Sequence, residues 1–523
     1  MKQQNNKIVL ILLVLLGLAS SFYLAIVYKD TLGERDSFRM VMGIIDSIIS
    51  NKPLGSSMLY GRDISFAYFG LLDFFTPIFK TNLALIIPFM NYINALSAIC
   101  MVIPFFFLVR RYWGTSIAIL ANILLMSLPA WRATSQYAHP MTEAILFMFI
   151  GLALISYRSF ISSLRLGLNR LILLLDVLII AALALCLMFR LDAILMFPLI
   201  PACLLLENYA FKKIVSSSIL YSFFPIIIFK VMQSQLPKII GQESDGILAQ
   251  LLLWNNPARY VDKFVYGNLL FILSLNPLLC LIFLISCIYL VYKRNYLSLF
   301  FILPTVLLNY IFWLPNPNPA RHFIYLSPVV AISIAIFLGD IFPIVKSYVK
   351  NNRNIGVALA VILIASLFIS YNFSYPVPMS EKYSHTTRQL GKQLQQLEPK
   401  GKQIIVVGDT IPAIVQMQLM SKDTKVEYKR TNILTDEDIK AQEESALKPK
   451  ITYIYVIVVE NKKNKFICYF QGWKSKLNEI KRFLEESDEY NQGYIVLNMI
   501  DKYTNKIDVE ASTLSKKLEV LKL

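Results

Sequence analysis

Charge is what this chain has least of. Only 16% of its 523 residues are Asp, Glu, Lys or Arg, where soluble domains carry about 25%. The deficit, the long apolar runs and a mean hydropathy of +0.55 exclude an ordinary soluble domain and define a polytopic membrane protein. Cysteine is scarce as well. Of the six, Cys100, Cys186, Cys203, Cys280 and Cys287 lie in apolar runs, Cys468 lies outside them, and none forms a CxxC pair. That excludes a disulfide framework and a thiolate zinc site. The lone "GDT" at 408–410 has no Gly-x-Gly-x-x-Gly or Walker pattern around it, which excludes a nucleotide phosphate loop. No A-x-A-like cleavage site follows the first apolar run, Ile8 to Val27. At twenty residues that run is long enough to span, and it reads as a retained first helix rather than a signal peptide.

What the chain has in excess is base, with a net charge of +17. Residues 1–371 hold 27 Lys/Arg against 14 Asp/Glu, and residues 372–523 hold 24 against 20. The surplus therefore sits in membrane loops, where topology and anionic headgroups account for it, and no nucleic-acid partner is implied. The apolar runs predict about eleven transmembrane helices, near 8–27, 83–109, 114–130, 141–157, 171–189, 193–209, 214–232, 268–291, 296–313, 322–342 and 355–371. Short loops rich in base and poor in acid (Arg110-Arg111, Arg158/Arg165/Arg170, Lys212-Lys213, Lys293-Arg294, Lys346/Lys350/Arg353) fall on the same face as the N-terminus. By the positive-inside rule that face is cytoplasmic. Of the acids before residue 372, only Asp176, Glu207 and Asp340 belong to it. The outer segments 28–82, 233–267 and everything after 372 are where chemistry is expected. Beyond Tyr371, runs at 403–407, 451–459, 465–470 and 493–500 read as strands, and 434–445 and 474–487 as amphipathic helices. They predict a soluble α/β domain, 372–523, on the outer face, after a membrane domain of 1–371.

Polar clusters recur at the outer ends of the spans. "GERDSFRM" places Glu34, Arg35, Asp36 and Arg39 just beyond the first span. Asp36 or Ser37 can cap a helix whose apolar residues fall at 38, 41, 44, 45, 48 and 49. "YGRDISFAYFGLLDFF" (60–75) puts Arg62 and Asp63 at the head of an aromatic, interfacial surface; the plain reading is an anchor, the functional one an arginine on a phosphate headgroup. Tyr137, His139 and Glu143 gather where the fourth span begins. An acid there suits the helix dipole; otherwise Glu143 is a ligand to a divalent cation or an acceptor-binding base. His139 shares its face if the helix starts by His139. Arg190 and Asp192 interrupt the hairpin "CLMFRLDAILMFP" and need water or a partner, possible within the pair itself. "WLPNPNPARHFIYLSPVV" brings a stiff proline loop to Arg321 and His322 at a helix N-terminus, where a compensating anion is expected.

In order and spacing, "GERDSF", "AHPMTEAILFMFIGLAL", "MFRLDAILMFP" and "NPARHFIYLSPVVAI" resemble the GT-C fold glycosyltransferases, near glycosyltransferase family 39 and the dolichyl-phosphate-mannose-protein mannosyltransferase-like group. The resemblance covers roughly residues 1–345. It implies a GT-C-like, α-helical polytopic enzyme of the plasma (inner) membrane that moves a hexosyl or pentosyl group. The donor would be a polyprenyl-phosphate-linked sugar, and the acceptor a glycan, lipid or protein at the extracytoplasmic face. The family's essential acid maps to Asp36 or Glu34. A second acid maps to Glu143, where relatives often have Asp. The donor phosphate would be held by Arg190 (often Lys in relatives), Arg321, Arg62 and His322. Acceptor or metal candidates are Glu143, His139 and Tyr137, and a divalent metal ion would draw on Glu34, Asp36 and Glu143. Other classes carried alongside are a lipid-linked glycan flippase or transporter, and an oligosaccharide polymerase or ligase. A transporter places polar groups at the bilayer midplane, and midspan charge here is nearly absent.

Overall fold

The computed structural model describes residues 62–81, 85–135, 140–163, 169–235, 271–313 and 323–351, isolated positions before 62 and at 265–269, and five strands after residue 400. The chain divides into two compact units. One comprises Met1–Lys29, Pro53–Phe75 and Pro88–Val377; the other comprises Asp30–Lys52, Thr76–Ile87 and Pro378–Leu523.

The helices with fully given bounds are α1 (Arg62–Phe74), α2 (Thr76–Thr81), α3 (Ile86–Cys100), α4 (Val102–Trp113), α5 (Thr115–Ser127), α6 (Pro129–Thr134), α7 (Met141–Ser163), α8 (Asn169–Phe189), α9 (Leu199–Leu206), α10 (Phe211–Ser234), α11 (Pro277–Tyr292), α12 (Tyr296–Trp313) and α13 (Ser327–Asn351). Among the described residues six stretches are long and apolar enough to cross a membrane: Ile86–Trp113, Met141–Ser162, Asn169–Phe189, Phe211–Ser234, Tyr296–Trp313 and Ile324–Pro343. A multi-pass membrane protein follows.

Two of the predicted spans are shorter in the structure. The run at 114–130 folds as α5, 13 residues long, and 193–209 is divided between a 3-10 turn and the 8-residue α9. A third is bent: Gly267–Leu275 and Pro277–Tyr292 meet at 91°. Asn276 makes that corner with φ 70, and its side chain accepts from Leu278 N ahead of Pro277, a helix start that proline suits. The predicted spans 8–27 and 355–371 lie largely outside the described residues. The described positions between Ile8 and Ile26 are helical, and Gly17 lies against Val102 and Ile99.

Helix packing follows the membrane rule that small residues let backbones approach. A Cβ on Gly151 of α7 would come within 2.9 Å of Leu183 Cδ2 on α8, and one on Gly339 of α13 would come within 2.9 Å of Ile117 Cγ1 on α5. Ser286 and Ser333 hydroxyls join α11 to α13 at 2.6 Å. Gly114 turns α4 into α5 with φ 92, backbone space that side-chain-bearing residues rarely enter. Gly151→Leu should therefore overpack the α7–α8 seam and cost about 1–3 kcal/mol. The readout is the thermal unfolding midpoint in detergent, which an unchanged value would contradict.

Helix α1 does more than anchor. Tyr68, Phe69 and Leu72 are fully buried, and the Phe66 ring lies 5.4 Å from that of Phe229.

In the other unit the strands are β1 (Gln403–Val407), β2 (Val426–Lys429), β3 (Ile451–Lys462), β4 (Lys465–Cys468) and β5 (Gln492–Asn498). β1 runs parallel to β2 and to β3. β4 and β5 pair antiparallel with β3. Residues 459 and 460 of β3 pair with both β4 and β5, and residues 454 and 455 with both β1 and β5. A strand has two edges, so β4 continues the edge that β1 leaves. β2 alternates apolar and charged residues (Val426, Glu427, Tyr428, Lys429) but is only four residues long, too short for that alternation to stand out in the sequence reading. The predicted helices 434–445 and 474–487 lie outside the described residues.

Candidate functional site

The site is built from helix ends. Helix α8 is apolar from Val177 to Phe189. Arg190 then turns extended (φ -159, ψ 115) and a 3-10 turn, Leu191–Met196, follows. The Arg190 N–H still donates to Cys186 O at 3.0 Å, and its own carbonyl accepts from Ala193 N at 3.1 Å. Arg190 thus keeps partners for both of its backbone groups across the break, which projects it from a helix end. Its Nε donates to Asp192 Oδ1 at 2.9 Å, with both side chains mostly buried. Tyr325 Oη donates to the same oxygen at 2.8 Å. Asp192 Oδ2 is buried and has no partner among the described residues. Asp192 therefore orients Arg190 through Nε, and both terminal guanidinium nitrogens remain without a partner among the described residues. That leaves the planar fork that binds phosphate bidentately free to do so. The within-pair contact open from sequence is made, and it does not consume the arginine.

Glu143 sits in the first turn of α7 and is 2% exposed. Thr142 Oγ1 donates to Glu143 Oε2 at 3.2 Å, and Ser97 approaches the same carboxyl. Its Oε1 has no partner among the described residues, and no ion pair reaches it there. A buried carboxyl with so few donors is costly, so it is suited to meeting a proton or a cation. Tyr68 lies near it. Burial first, and then the Glu143 charge, push the Tyr68 phenol far above its usual value, and its hydroxyl is likewise unpartnered among the described residues. The Phe147 ring, one turn below Glu143, stacks on Phe189 at 5.3 Å and 11°. Glu143 and Arg190 therefore lie at the same end of neighbouring helices.

The opposite end is tied by ion pairs. Arg158 of α7 makes a bidentate contact with Asp176 of α8, through Nε and, at 3.0 Å, through Nη2. Tyr221 of α10 donates to the same carboxylate. Arg111 of α4 holds Glu207 through Nε (3.2 Å) and Nη2 (3.0 Å), and Ser156 donates to Glu207 at 2.9 Å. Burial raises the Glu207 carboxyl, but hydrogen bonds from Arg111, Tyr112, Ser159 and Ser156 outweigh it and hold the group below its usual range. A carboxyl depressed in the folded state adds stability above its unfolded value of about 4.3. That contribution disappears as pH falls through the lower, folded value. The melting-temperature gap between wild type and Glu207→Gln should be open at pH 7 and close on acidification below about pH 4.3. A gap independent of pH would overturn it.

Of the residues singled out from sequence for the site, Arg190, Asp192 and Glu143 have described side chains. Arg62 opens α1, where the backbone is described. Glu34, Asp36, Tyr137, His139, Arg321 and His322 lie outside the described residues. Helix α7 begins at Met141, after Pro140, so its bounds do not include His139, contrary to the shared-face condition. Among the described residues no group of three or more His, Cys, Asp or Glu converges as a metal cage. Tyr325 and Tyr68 are additions from the structure. Their one sequence signal is a polar tip inside an apolar run, which in tyrosine has many uses.

No known sequence family matches the chain, and no curated protein matches it by sequence. Solved structures do. The chain has the GT-C fold. The archaeal oligosaccharyltransferase AglB from Archaeoglobus fulgidus, in complex with an inhibitory peptide and a dolichol-phosphate, superposes with a TM-score of 0.50 at 12% identity, over 90% of this chain and 75% of that one. The same enzyme tethered to an acceptor peptide containing the NVT sequon gives 0.51 at 12% identity, over 90% and 74%. ArnT from Cupriavidus metallidurans, bound to undecaprenyl phosphate, gives 0.48 at 11% identity, over 85% and 92%.

Proposed function

We propose that this protein is an integral-membrane glycosyltransferase. It moves a hexosyl or pentosyl group from a polyprenyl-phosphate-linked donor to a glycan, lipid or protein acceptor at the extracytoplasmic face of the plasma membrane. The N-terminus is cytoplasmic and the domain after residue 372 extracytoplasmic. The observation that carries this reading is Arg190. It is an oriented guanidinium whose fork has no partner among the described residues, at the end of an apolar hairpin, in a fold shared with an oligosaccharyltransferase solved in complex with a dolichol-phosphate.

The chemistry needs little. An acceptor O–H or N–H gives its proton to the carboxylate of Asp36, with Glu34 as its partner. The freed electron pair bonds to the anomeric carbon of the donor, and the bond from that carbon to the phosphate oxygen breaks. The departing electron pair and the charge it brings stay on the lipid phosphate, where Arg190, Arg321, Arg62 and His322 stabilise them. Because the leaving group keeps its prenyl tail, the donor comes from the bilayer, which suits a site at helix ends. Glu143, with His139 and Tyr137, faces the acceptor. A divalent cation, where bound, would be held by Glu34, Asp36 and Glu143 and would supply positive charge beside the phosphate; Glu143 Oε1 is a donor atom open to it.

The test is the purified full chain in proteoliposomes with radiolabelled polyprenyl-phosphate sugar, read together with mass spectrometry of surface glycans after deletion. Transfer of label, and in cells accumulation of one donor with loss of one glycan, is the expected result. Translocation of the lipid sugar without transfer would replace this reading with a transporter.

A further inference from the structure

α4 and α7 run side by side with a groove between them of about 1090 Å³, its basic end at the Arg158 end of α7. Its walls are apolar along their length: Ile103 and Phe107 on α4, and Leu146, Ile150, Ala153 and Tyr157 on α7. Phe107 and Tyr157 are 47% and 51% exposed, so the groove faces outward from the bundle rather than into it. It ends at two arginines, Arg110 and Arg111. Arg111 is committed to Glu207, and its guanidinium lies 5.7 Å from the Phe160 ring centroid. Arg110 differs, since its guanidinium has no ion pair or hydrogen bond among the described residues. An apolar channel in the wall of a membrane protein that ends beside a tyrosine at a cation with no partner among the described residues has the layout of a lipid: chain, then charged head.

We propose that this groove binds an anionic diacyl phospholipid, one acyl chain lying between α4 and α7 and the phosphate resting on Arg110. Charge complementarity selects the occupant. A zwitterionic lipid fills the apolar walls equally well but gains less from Arg110, because its own ammonium competes for the phosphate. The apolar wall reaches Leu146, within a turn of Glu143, but the basic end that receives the phosphate is not the donor-phosphate site: Arg190 lies with Glu143 at the other end of α7 and α8, and the fifteen residues from Glu143 to Arg158 correspond to roughly 22 Å of helix.

The test uses the full chain in nanodiscs doped with photoactivatable phosphatidylglycerol or phosphatidylcholine carrying a diazirine on one acyl chain, with cross-links mapped by mass spectrometry. Phosphatidylglycerol should label residues 103–107 and 146–157 about fivefold more than phosphatidylcholine, the preference that one basic residue at an anionic surface confers. Arg110→Gln, at a half-buried position with no partner to lose among the described residues, should reduce that preference to parity. Ala153→Trp, which fills the groove, should abolish labelling there by both lipids. Equal labelling by the two lipids in wild type would overturn the proposal. So would a preference that survives Arg110→Gln, or a photoactivatable polyprenyl phosphate that labels the groove and displaces phosphatidylglycerol from it. None of these readouts depends on transfer activity, so failure here is separable from failure of the proposed function.

Discussion

Arg190→Ala should lower sugar transfer by about two to three orders of magnitude, the cost of removing one preorganised donor from a developing oxyanion. The loss has two separable sources. The first is chemical: the departing phosphate loses the guanidinium fork that Asp192 aims. The second is structural, because Asp192 would be left buried with Tyr325 as its one described donor. Breaking a buried pair by removing one partner costs about 3–5 kcal/mol. Arg190→Lys distinguishes the two. A lysine keeps the charge and can satisfy Asp192, but it cannot offer a fork. It should restore the melting temperature fully and transfer only in part, with the deficit in kcat rather than in the donor KM. Asp192→Asn is the companion variant. It keeps an acceptor for Tyr325 while removing the charge, and should weaken transfer less than Arg190→Ala. Wild-type kcat in folded Arg190→Ala would remove Arg190 from the mechanism.

Asp36→Asn should reduce transfer by about 10²–10⁴-fold, the range for loss of a positioned general base. Asparagine is chosen because it caps a helix as well as aspartate does. If Asp36 were only a cap, expression, melting temperature and activity would all be preserved. If it is the base, expression and melting temperature stay and activity goes. Glu34→Gln provides the control for a swapped assignment. The variant with the larger loss, and with loss of the acidic limb of the pH–rate profile, identifies the proton acceptor. Full transfer by Asp36→Asn in membranes would eliminate it from that role.

Much of the site's polar skeleton could be read directly from residues. Arg190 and Asp192 stand out because charge in an apolar hairpin has to be satisfied, and the structure pairs them. Glu143 stands out for the same reason. Their surroundings do not. Tyr325, Tyr68 and Ser97 come from segments far apart in the chain, and each by itself is an unremarkable polar tip in a membrane run. The spans were legible wherever a single apolar run makes a single straight helix, as at Met141–Ser162 and Asn169–Phe189. Hydropathy says nothing about where a run breaks, so the corner at Asn276 and the 3-10 turn after Arg190 needed coordinates. At the Arg158 end, the bases at 110–111 and 158 registered as a topology signal. That two of them are consumed by Asp176 and Glu207 depends on which helices are neighbours, and composition does not encode this.

Those two ion-pair clusters have a mechanical consequence. Through Arg111, Ser156, Arg158, Asp176, Glu207 and Tyr221 they join α4, α7, α8, α10 and the residue that ends α9. A set of rods fastened at one end behaves like a tuning fork: the fastened end is the stem, and displacement grows along the prongs. The prong tips carry Glu143 and Arg190. Under the proposed function the tips are where the tailed donor would be admitted, and a substitution that loosens the stem, such as Asp176→Ala, should disturb the spacing of the tips without touching either one.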